Sequence, residues 1–194
     1  MLIDPFFIQF FCVILGKNGY LRFQTKPMIM KKSILILLVL ILGILSSCSK
    51  KSSCSYRDDA VSVPASEVTA IQTYLDSIKV TATKDPRGFY YVIDQPGSGV
   101  KPTVCSSISF TYKGELTNGN TFDQSSNPVT YHLGDLISGW KKGIPLIAAG
   151  GKIHLYLPPS LGYGSVPIKD QSGNVIIPAN SVLIFEIGLV SVSN

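Results

Sequence analysis

The chain has 194 residues, of which 45% are hydrophobic, which suits one globular domain with attachments and leaves little room for two full domains. Of its 17 basic and 12 acidic residues, five basic and one acidic residue precede Cys48, which leaves 12 against 11 in the remainder. This balance excludes a broad basic surface, and we therefore expect no nucleic-acid partner.

Residues 30–47 have the layout of a secretory signal peptide. Two lysines precede an uncharged apolar run over 34–45, which is too short to span a bilayer comfortably. The run ends in "LSSC", which resembles the bacterial lipobox. That resemblance implies cleavage before Cys48 and a diacylglyceryl anchor on this cysteine. The alternative is a signal anchor that is never cleaved.

We therefore expect a lipid-anchored protein of the bacterial cell envelope that faces the periplasm. Ser49 after the lipidation site favours the outer over the inner membrane under the sorting rule of enteric bacteria. Residues 1–29 fit neither a signal peptide nor a domain. We expect translation to start at Met28 or Met30, with a second membrane segment as the alternative.

The four cysteines leave one candidate pair for a disulfide. Cys12 lies in the upstream region and Cys48 is the lipidation site, so Cys54 and Cys105 remain. Disulfides persist outside the cytoplasm, and we therefore predict that these two cysteines are bonded. The alternative is two unrelated thiols, because the sequence does not show whether their Cα atoms approach within about 7 Å.

A polar tether is predicted over 48–63, followed by a helical extension over 64–84. Pro64 and a candidate cap, Ser66, mark the start of an amphipathic helix. We expect its apolar stripe to dock on the following domain rather than on a partner protein. The stripe consists of residues at helical spacing: Val68, Ile71, Leu75 and Ile78.

Residues 85–194 have the pattern of an antiparallel sheet with one short helix. Alternation of apolar and polar residues predicts strands in "SISFTY", "KIHLYLP" and "SVLIFEIGLV", and "GFYYVI" is predicted as a further strand. Asn118 and Gly119 form the dipeptide that favours a tight hairpin turn. The segment "ISGWKKGIPLI" predicts a short helix that packs Ile137, Trp140 and Ile144 against the sheet.

Five motifs in this region carry a resemblance to the FKBP-type peptidyl-prolyl isomerases. "FTYKGEL", "NGNTFDQS", "GWKKGI", "LPPSLGYGS" and "IIPANSVLIFEIGLV" occur in the order and approximate spacing of that family, over residues 88–194. The signal region and the extra helix are similar to those of its bacterial lipoprotein members. The resemblance implies an α+β fold, in which a curved antiparallel half-barrel of five or six strands wraps around one short helix.

The resemblance also implies an aromatic pocket for a proline ring, with Trp140 as its floor. Its remaining members are implied motif by motif: Tyr112, Phe122 and Asp123 in one wall, Leu136 and Ile137 ahead of the floor, Tyr163 at the rim, and Ile177 and Phe185 on the far side. The family often has an aromatic residue where this chain has Val129, which predicts a more open pocket on that side. The backbone N–H of Ile137 and the hydroxyl of Tyr163 are the implied hydrogen-bond donors.

The resemblance implies a peptidyl-prolyl isomerase that assists the folding of exported proteins. Its partners would be proline-containing polypeptides, with macrolides as candidate ligands, and it would need no metal or cofactor. Rotation of an amide requires no nucleophile, and neither His132 nor His154 belongs to a pocket motif. Two alternatives remain open, namely a binding module or chaperone with little turnover, and a purely structural envelope lipoprotein.

Overall fold

The computed structural model describes residues 54–57 and 60–194. The upstream residues 1–29, the predicted signal peptide over 30–47 and the predicted lipidation site Cys48 lie outside the described residues. Within the described ranges, no helix combines the length and the hydrophobicity that crossing a membrane requires.

The centre of the fold is a six-stranded antiparallel sheet. Its strands are Thr83–Lys84 (β1), Tyr90–Gln95 (β2), Ser107–Leu116 (β3), Thr121–His132 (β4), Lys152–Leu157 (β5) and Leu183–Ser193 (β8). Their order in the sheet is β1-β2-β5-β8-β3-β4. Ile168–Lys169 (β6) and Val175–Ile177 (β7) form a separate two-stranded hairpin. Register shifts interrupt the β3–β4 ladder, and such bulges bend and twist a strand. The predicted α+β fold with a curved antiparallel sheet is confirmed.

The helices are few and short. In the part of the chain that the structure describes, the α-helices are Ala65–Ser77 (α1) and Ser138–Gly143 (α2), and 3₁₀ turns cover Leu133–Asp135, Ile144–Leu146 and Pro159–Leu161. The hairpin between β3 and β4 closes where the Leu116 N–H donates to the Asn120 carbonyl at 2.9 Å. Gly119 adopts a φ of 85° in this turn, which is the conformation that its Asn-Gly sequence favours.

Helix α2 lies very close to strand β5 because two glycines face that strand. A Cβ atom at Gly139 would lie 2.4 Å from the Leu157 side chain, and one at Gly143 would lie 2.6 Å from Leu155. These glycines are four residues apart and therefore share one face of the helix. The close approach places Trp140 in the main core, on what we call the inner face of the sheet.

Helix α1 packs on the opposite, outer face. Its Ile71 and Leu75 are fully buried in a second cluster. The strand residues of this cluster are Tyr90, Tyr156 and Ile184. Burying each aliphatic side chain contributes about 1.5–3 kcal/mol, which holds the helix on the sheet.

Two details of the predicted helix differ from the structure. Pro64, rather than Ser66, occupies the N-cap position, and its carbonyl accepts hydrogen bonds from Glu67 and Val68. Ser66 therefore lies within the first turn and caps nothing. Ile78 lies beyond the last helical residue and is 43% exposed, because the chain leaves the helix there before Lys79 adopts a positive φ.

A disulfide joins Cys54 to Cys105 in the structure. Their Cα atoms are 5.7 Å apart, within the range that a disulfide requires. The bond connects the segment before α1 to the loop that precedes β3. It therefore closes a long loop that contains α1, β1 and β2.

Candidate active site

A cavity of about 160 Å³ opens on the inner face, beside helix α2. Most of its wall is aromatic, and it contains a single carboxylate. The lining residues are Phe110, Tyr112, Phe122, Asp123, Tyr131, Leu136, Ile137, Trp140, Tyr163 and Phe185. The cavity therefore offers an apolar enclosure with a small number of polar groups, as small-molecule and peptide sites do.

Trp140, the only tryptophan of the chain, is at the centre of this wall and is 5% exposed. Three rings pack against it nearly edge to face, with centroid distances of 5.1 Å for Phe110, 5.5 Å for Tyr112 and 5.0 Å for Phe185. This geometry is the one that aromatic quadrupoles favour. Among the described residues, the buried indole N–H finds no oxygen or nitrogen acceptor. Perpendicular rings leave it only weak N–H···π contacts.

Strands β3, β4 and β8 bring the side walls together. Phe122 on β4 packs edge to face on Phe185 of β8, with the ring centroids 5.6 Å apart. The Tyr112 hydroxyl on β3 donates to Oδ2 of Asp123 on β4 at 2.7 Å. This hydrogen bond fixes the orientation of both side chains at the cavity wall.

Both pocket phenols that have shifted pKa values remain protonated at neutral pH. Burial, followed by the hydrogen bond to Asp123, raises the pKa of Tyr112 above its usual value of 10. Burial and the charge of Asp123 also raise the pKa of Tyr163. Each phenol is therefore a stable hydrogen-bond donor over the physiological range.

Two loops complete the cavity. Leu136 and Ile137 follow the 3₁₀ turn Leu133–Asp135, and Ile137 is the N-cap residue of α2. The first N–H groups of a helix have no carbonyl partner within it, so the Ile137 N–H is placed to donate elsewhere. Tyr163 follows the turn Pro159–Leu161 and is 39% exposed at the rim.

The structure places most of the predicted pocket residues around one cavity. Those that line it are Tyr112, Phe122, Asp123, Leu136, Ile137, Trp140, Tyr163 and Phe185. Two other predicted residues, Val129 and Ile177, are not in the lining. Val129 packs against the core in register with Phe110, whose larger ring reaches the cavity instead. Ile177 is 3% exposed and belongs to the core cluster beneath the β6–β7 hairpin.

Phe110 and Tyr131 line the cavity but are absent from the predicted pocket. Phe110 alternates with Tyr112 along β3, so the strand pattern already placed both on one face. Tyr131 lies two residues after Val129 on β4 and is therefore on the same face of the strand. Its ring lies 6.2 Å from that of Phe110, so this wall has an aromatic side chain despite Val129.

Other polar chemistry is sparse near the cavity. Neither His132 nor His154 lines it, and the His154 ring is hydrogen-bonded to Asp94 at 2.8 Å. In the described part of the chain, no group of three or more histidine, cysteine, aspartate or glutamate residues could hold a metal ion. The polar groups at the cavity are therefore hydroxyls, one carboxylate and backbone amides.

Comparison with known proteins relates this fold and cavity to one family. The family described as "FKBP-type peptidyl-prolyl cis-trans isomerase" matches residues 99–190. The chain is 44% identical over 116 residues to "FKBP-type peptidyl-prolyl cis-trans isomerase FkpA" of Buchnera aphidicola subsp. Schizaphis graminum. That alignment covers 58% of this chain and 44% of the relative, so the chain spans less than half of the relative's length.

Two solved structures are similar to this chain. The crystal structure of AtFKBP13 is 31% identical, with a TM-score of 0.53, and the match covers 58% of this chain and 99% of that one. A peptidyl-prolyl cis-trans isomerase from Pseudomonas syringae pv. tomato is 29% identical, with a TM-score of 0.57, over 68% of this chain and 98% of that one. The chain belongs to the FKBP-type peptidyl-prolyl cis-trans isomerase family.

Proposed function

We propose that this chain is an enzyme that accelerates cis–trans isomerisation of the peptide bond before proline in polypeptides. The observation that carries the proposal is the cavity of about 160 Å³ with Trp140 as its floor. A cavity of about 150 Å³ lined by apolar side chains accepts one benzene ring. The cavity beside α2 is therefore of a size to take one small ring, such as that of proline.

The chemistry requires no nucleophile. Rotation about the peptide bond removes its partial double-bond character, against a barrier of about 18–20 kcal/mol. The twisted amide is less delocalised and less polar than the planar amide. A pocket that is lined by rings and excludes water therefore favours the twisted form relative to bulk water.

A few polar groups orient the substrate within this apolar enclosure. We assign the Ile137 N–H and the Tyr163 hydroxyl as donors to substrate carbonyl groups, because both lie at the cavity and neither is deprotonated at neutral pH. Asp123 accepts the Tyr112 hydrogen bond and holds that wall in place. These groups position the substrate and transfer no proton.

An isomerisation assay that uses no coupled protease, on a short Xaa-Pro peptide, tests the proposal. The full chain should accelerate equilibration, and Phe122→Ala, which opens the aromatic wall, should reduce kcat/KM strongly. Val190→Ala is the matched control, because Val190 is an exposed aliphatic residue outside the cavity. Binding of the peptide without acceleration would overturn the enzymatic proposal and favour the binding module.

We also propose that the enzyme is a lipoprotein of the bacterial envelope that acts on exported proteins. The "LSSC" sequence supports this location, and the Cys54–Cys105 bond suits an oxidising compartment. Metabolic labelling with a fatty-acid analogue should mark the wild-type protein and should not mark Cys48→Ala. Labelling that is equal in both proteins would contradict lipidation at Cys48.

Macrolides are a further proposed ligand class, because the aromatic wall would bury an apolar ring system. A macrolide that occupies the cavity should inhibit the Xaa-Pro assay competitively. Unchanged activity at saturating macrolide would remove this class of ligand from the proposal.

A further inference from the structure

Two side chains outside the family-matched residues contact the loops that complete the cavity. Tyr56 belongs to the segment before α1, and Glu67 lies in the first turn of α1. The match to the family covers residues 99–190, so both side chains precede it. Each nevertheless forms a direct contact with a loop that carries a cavity residue.

Tyr56 contacts the loop that leads into α2. Its hydroxyl donates to Oδ1 of Asp135 at 2.7 Å, and Leu136 and Ile137 follow directly in the chain. The ring covers Gly134 so closely that a Cβ atom there would lie 2.2 Å from the ring carbon Cγ. The hydrogen bond and the ring contact together hold the turn immediately before the Ile137 N–H.

Glu67 contacts the loop that leads to Tyr163. Its carboxylate accepts hydrogen bonds from the Ser160 backbone N–H at 3.0 Å and from the Ser160 hydroxyl at 2.8 Å. Hydrogen bonds to a charged acceptor are about twice as strong as neutral ones. Ser160 is three residues before Tyr163, within the turn Pro159–Leu161.

Both contacts originate from fixed points in the structure. Cys54, two residues before Tyr56, is joined to Cys105 by the disulfide. Helix α1, which carries Glu67, is held by the buried side chains of Ile71 and Leu75. The Glu67 contact is partly buried and the Tyr56 contact lies at the exposed surface, but both start from anchored positions and therefore act as braces on the two loops.

We propose that Tyr56 and Glu67 are positioning residues for the active site, one for the loop of Ile137 and the other for the loop of Tyr163. The inference rests on the proposed isomerase function, in which these loops supply the two hydrogen-bond donors. Functional groups must be held within about 0.5 Å of their productive geometry. Loss of either brace should therefore lower kcat more than it raises KM.

The test compares variants of the full chain, purified under non-reducing conditions. Tyr56→Phe keeps the ring over Gly134 and removes the hydrogen bond, while Glu67→Ala removes both hydrogen bonds to Ser160. Tyr56→Phe should lower kcat about fivefold, the effect expected for the loss of one hydrogen bond, and Glu67→Ala should lower it further because it removes two. KM should change little in either variant. Glu67→Gln, which keeps an acceptor, should restore most of the rate.

Matched controls remove the same groups elsewhere in the fold. Tyr91→Phe deletes a hydroxyl on β2 outside the cavity, and Asp76→Ala deletes a carboxylate of α1 that accepts a hydrogen bond from Gln72 of the same helix. Both controls should retain wild-type kinetics. Equal losses in a control and in its test variant would overturn the positioning role.

Two readouts do not depend on activity. Trp140 is the only tryptophan, so its emission reports directly on the cavity and should shift to longer wavelength in Tyr56→Phe and Glu67→Ala. Amide hydrogen exchange should accelerate at 135–137 in the first variant and at 160–163 in the second. Unchanged emission and exchange would overturn the inference even if the wild type is active. Altered emission and exchange in an inactive wild type would retain the braces and refute the isomerase function alone.

Discussion

Neighbouring residues of the same strands belong to different clusters on the two faces of the sheet. Phe185 and Leu155 face the inner core and the cavity, whereas the adjacent Ile184 and Tyr156 pack under helix α1 on the outer face. The outer cluster is closed by Ile71 and Leu75. The inner core is left open beside Trp140, and that opening is the candidate active site. A binding pocket here is thus a core that the chain does not fill completely.

The largest effect should come from Phe185→Ala on the inner face. The variant removes a ring that contacts both Trp140 and Phe122, and truncation of a buried phenylalanine costs about 3–5 kcal/mol of unfolding free energy. The opened cavity admits water, so the protein that remains folded should lose most of its activity. Denaturant unfolding and the Xaa-Pro assay at matched folded fraction measure the two losses.

Ile184→Ala is the control on the outer face, one residue away. It should cost about 2–5 kcal/mol of unfolding free energy, because Ile184 is buried under α1. Its activity per folded molecule should equal that of the wild type. A loss of activity in Ile184→Ala as large as that in Phe185→Ala would contradict the assignment of the active site to the inner face alone.

The next largest effect should come from breaking the Cys54–Cys105 bond, which attaches the N-terminal segment to the domain. The two cysteines are 51 residues apart, and the chain-entropy model assigns about 4 kcal/mol to a loop of this length. Unfolding free energies should therefore differ by roughly that amount between the oxidised protein and Cys54→Ser. Mass mapping under non-reducing conditions should find the linked peptides, and two free thiols in the exported protein would contradict the bond.

A smaller effect is expected for Tyr163→Phe at the rim of the cavity. The change removes one hydroxyl donor, worth about 1 kcal/mol net, and leaves the ring in place. We expect kcat/KM to fall several-fold while the unfolding free energy stays within error of the wild type. A loss as large as that of Phe185→Ala would assign chemistry to the hydroxyl that the proposed mechanism does not contain.

The smallest effect should be that of pH on the isomerisation rate between about pH 6 and 8. Groups that transfer protons titrate near their operating pH, and both histidines lie outside the cavity. A rate profile measured over this range should therefore be flat. An inflection in the rate profile that disappears when His132 or His154 is replaced would contradict a mechanism that depends on the shape of the pocket and on the exclusion of water.

On the alkaline side, the titration of Tyr112 should make the free energy of unfolding depend on pH. The folded state raises the pKa of this phenol above 10, so it retains a proton that the unfolded chain releases. The stabilisation is fully present below pH 10 and is lost as the pH rises toward the folded-state pKa. Tyr112→Phe should flatten this alkaline limb in denaturation measured from pH 8 to 12.

The sequence predicted much of the fold because each strand carries its own signal. Alternation marked β3, β5 and β8, and the Asn118-Gly119 dipeptide marked the β3–β4 turn. The segment "ISGWKKGIPLI" marked α2, and the structure adds that its two glycines permit the close approach to β5. These features are local, so a single sequence suffices to find them.

The parts that were missed depend on register and on distant contacts. Alternation places Phe110 on the face of Tyr112 and Tyr131 on the face of Val129, but it does not show which of these side chains reach the cavity. The presence of Phe110 and Tyr131 in the wall, and the absence of Val129 from it, depend on how β3 and β4 pair across a bulge. The Tyr56–Asp135 hydrogen bond joins residues 79 positions apart. Such a contact exists only once the disulfide and the sheet have brought the two segments together.

The glycines of α2 have a consequence for how such a protein can change over evolution. A methyl group at Gly139 or Gly143 would collide with the side chain of Leu157 or Leu155, so either that leucine or the helix would have to shift, and a shift of the helix would carry Trp140 with it. The depth of the cavity therefore depends on the absence of a side chain at these two positions, which are one helical turn apart. A substitution at either glycine could therefore alter the range of substrates by moving Trp140, without a change to any residue that lines the cavity.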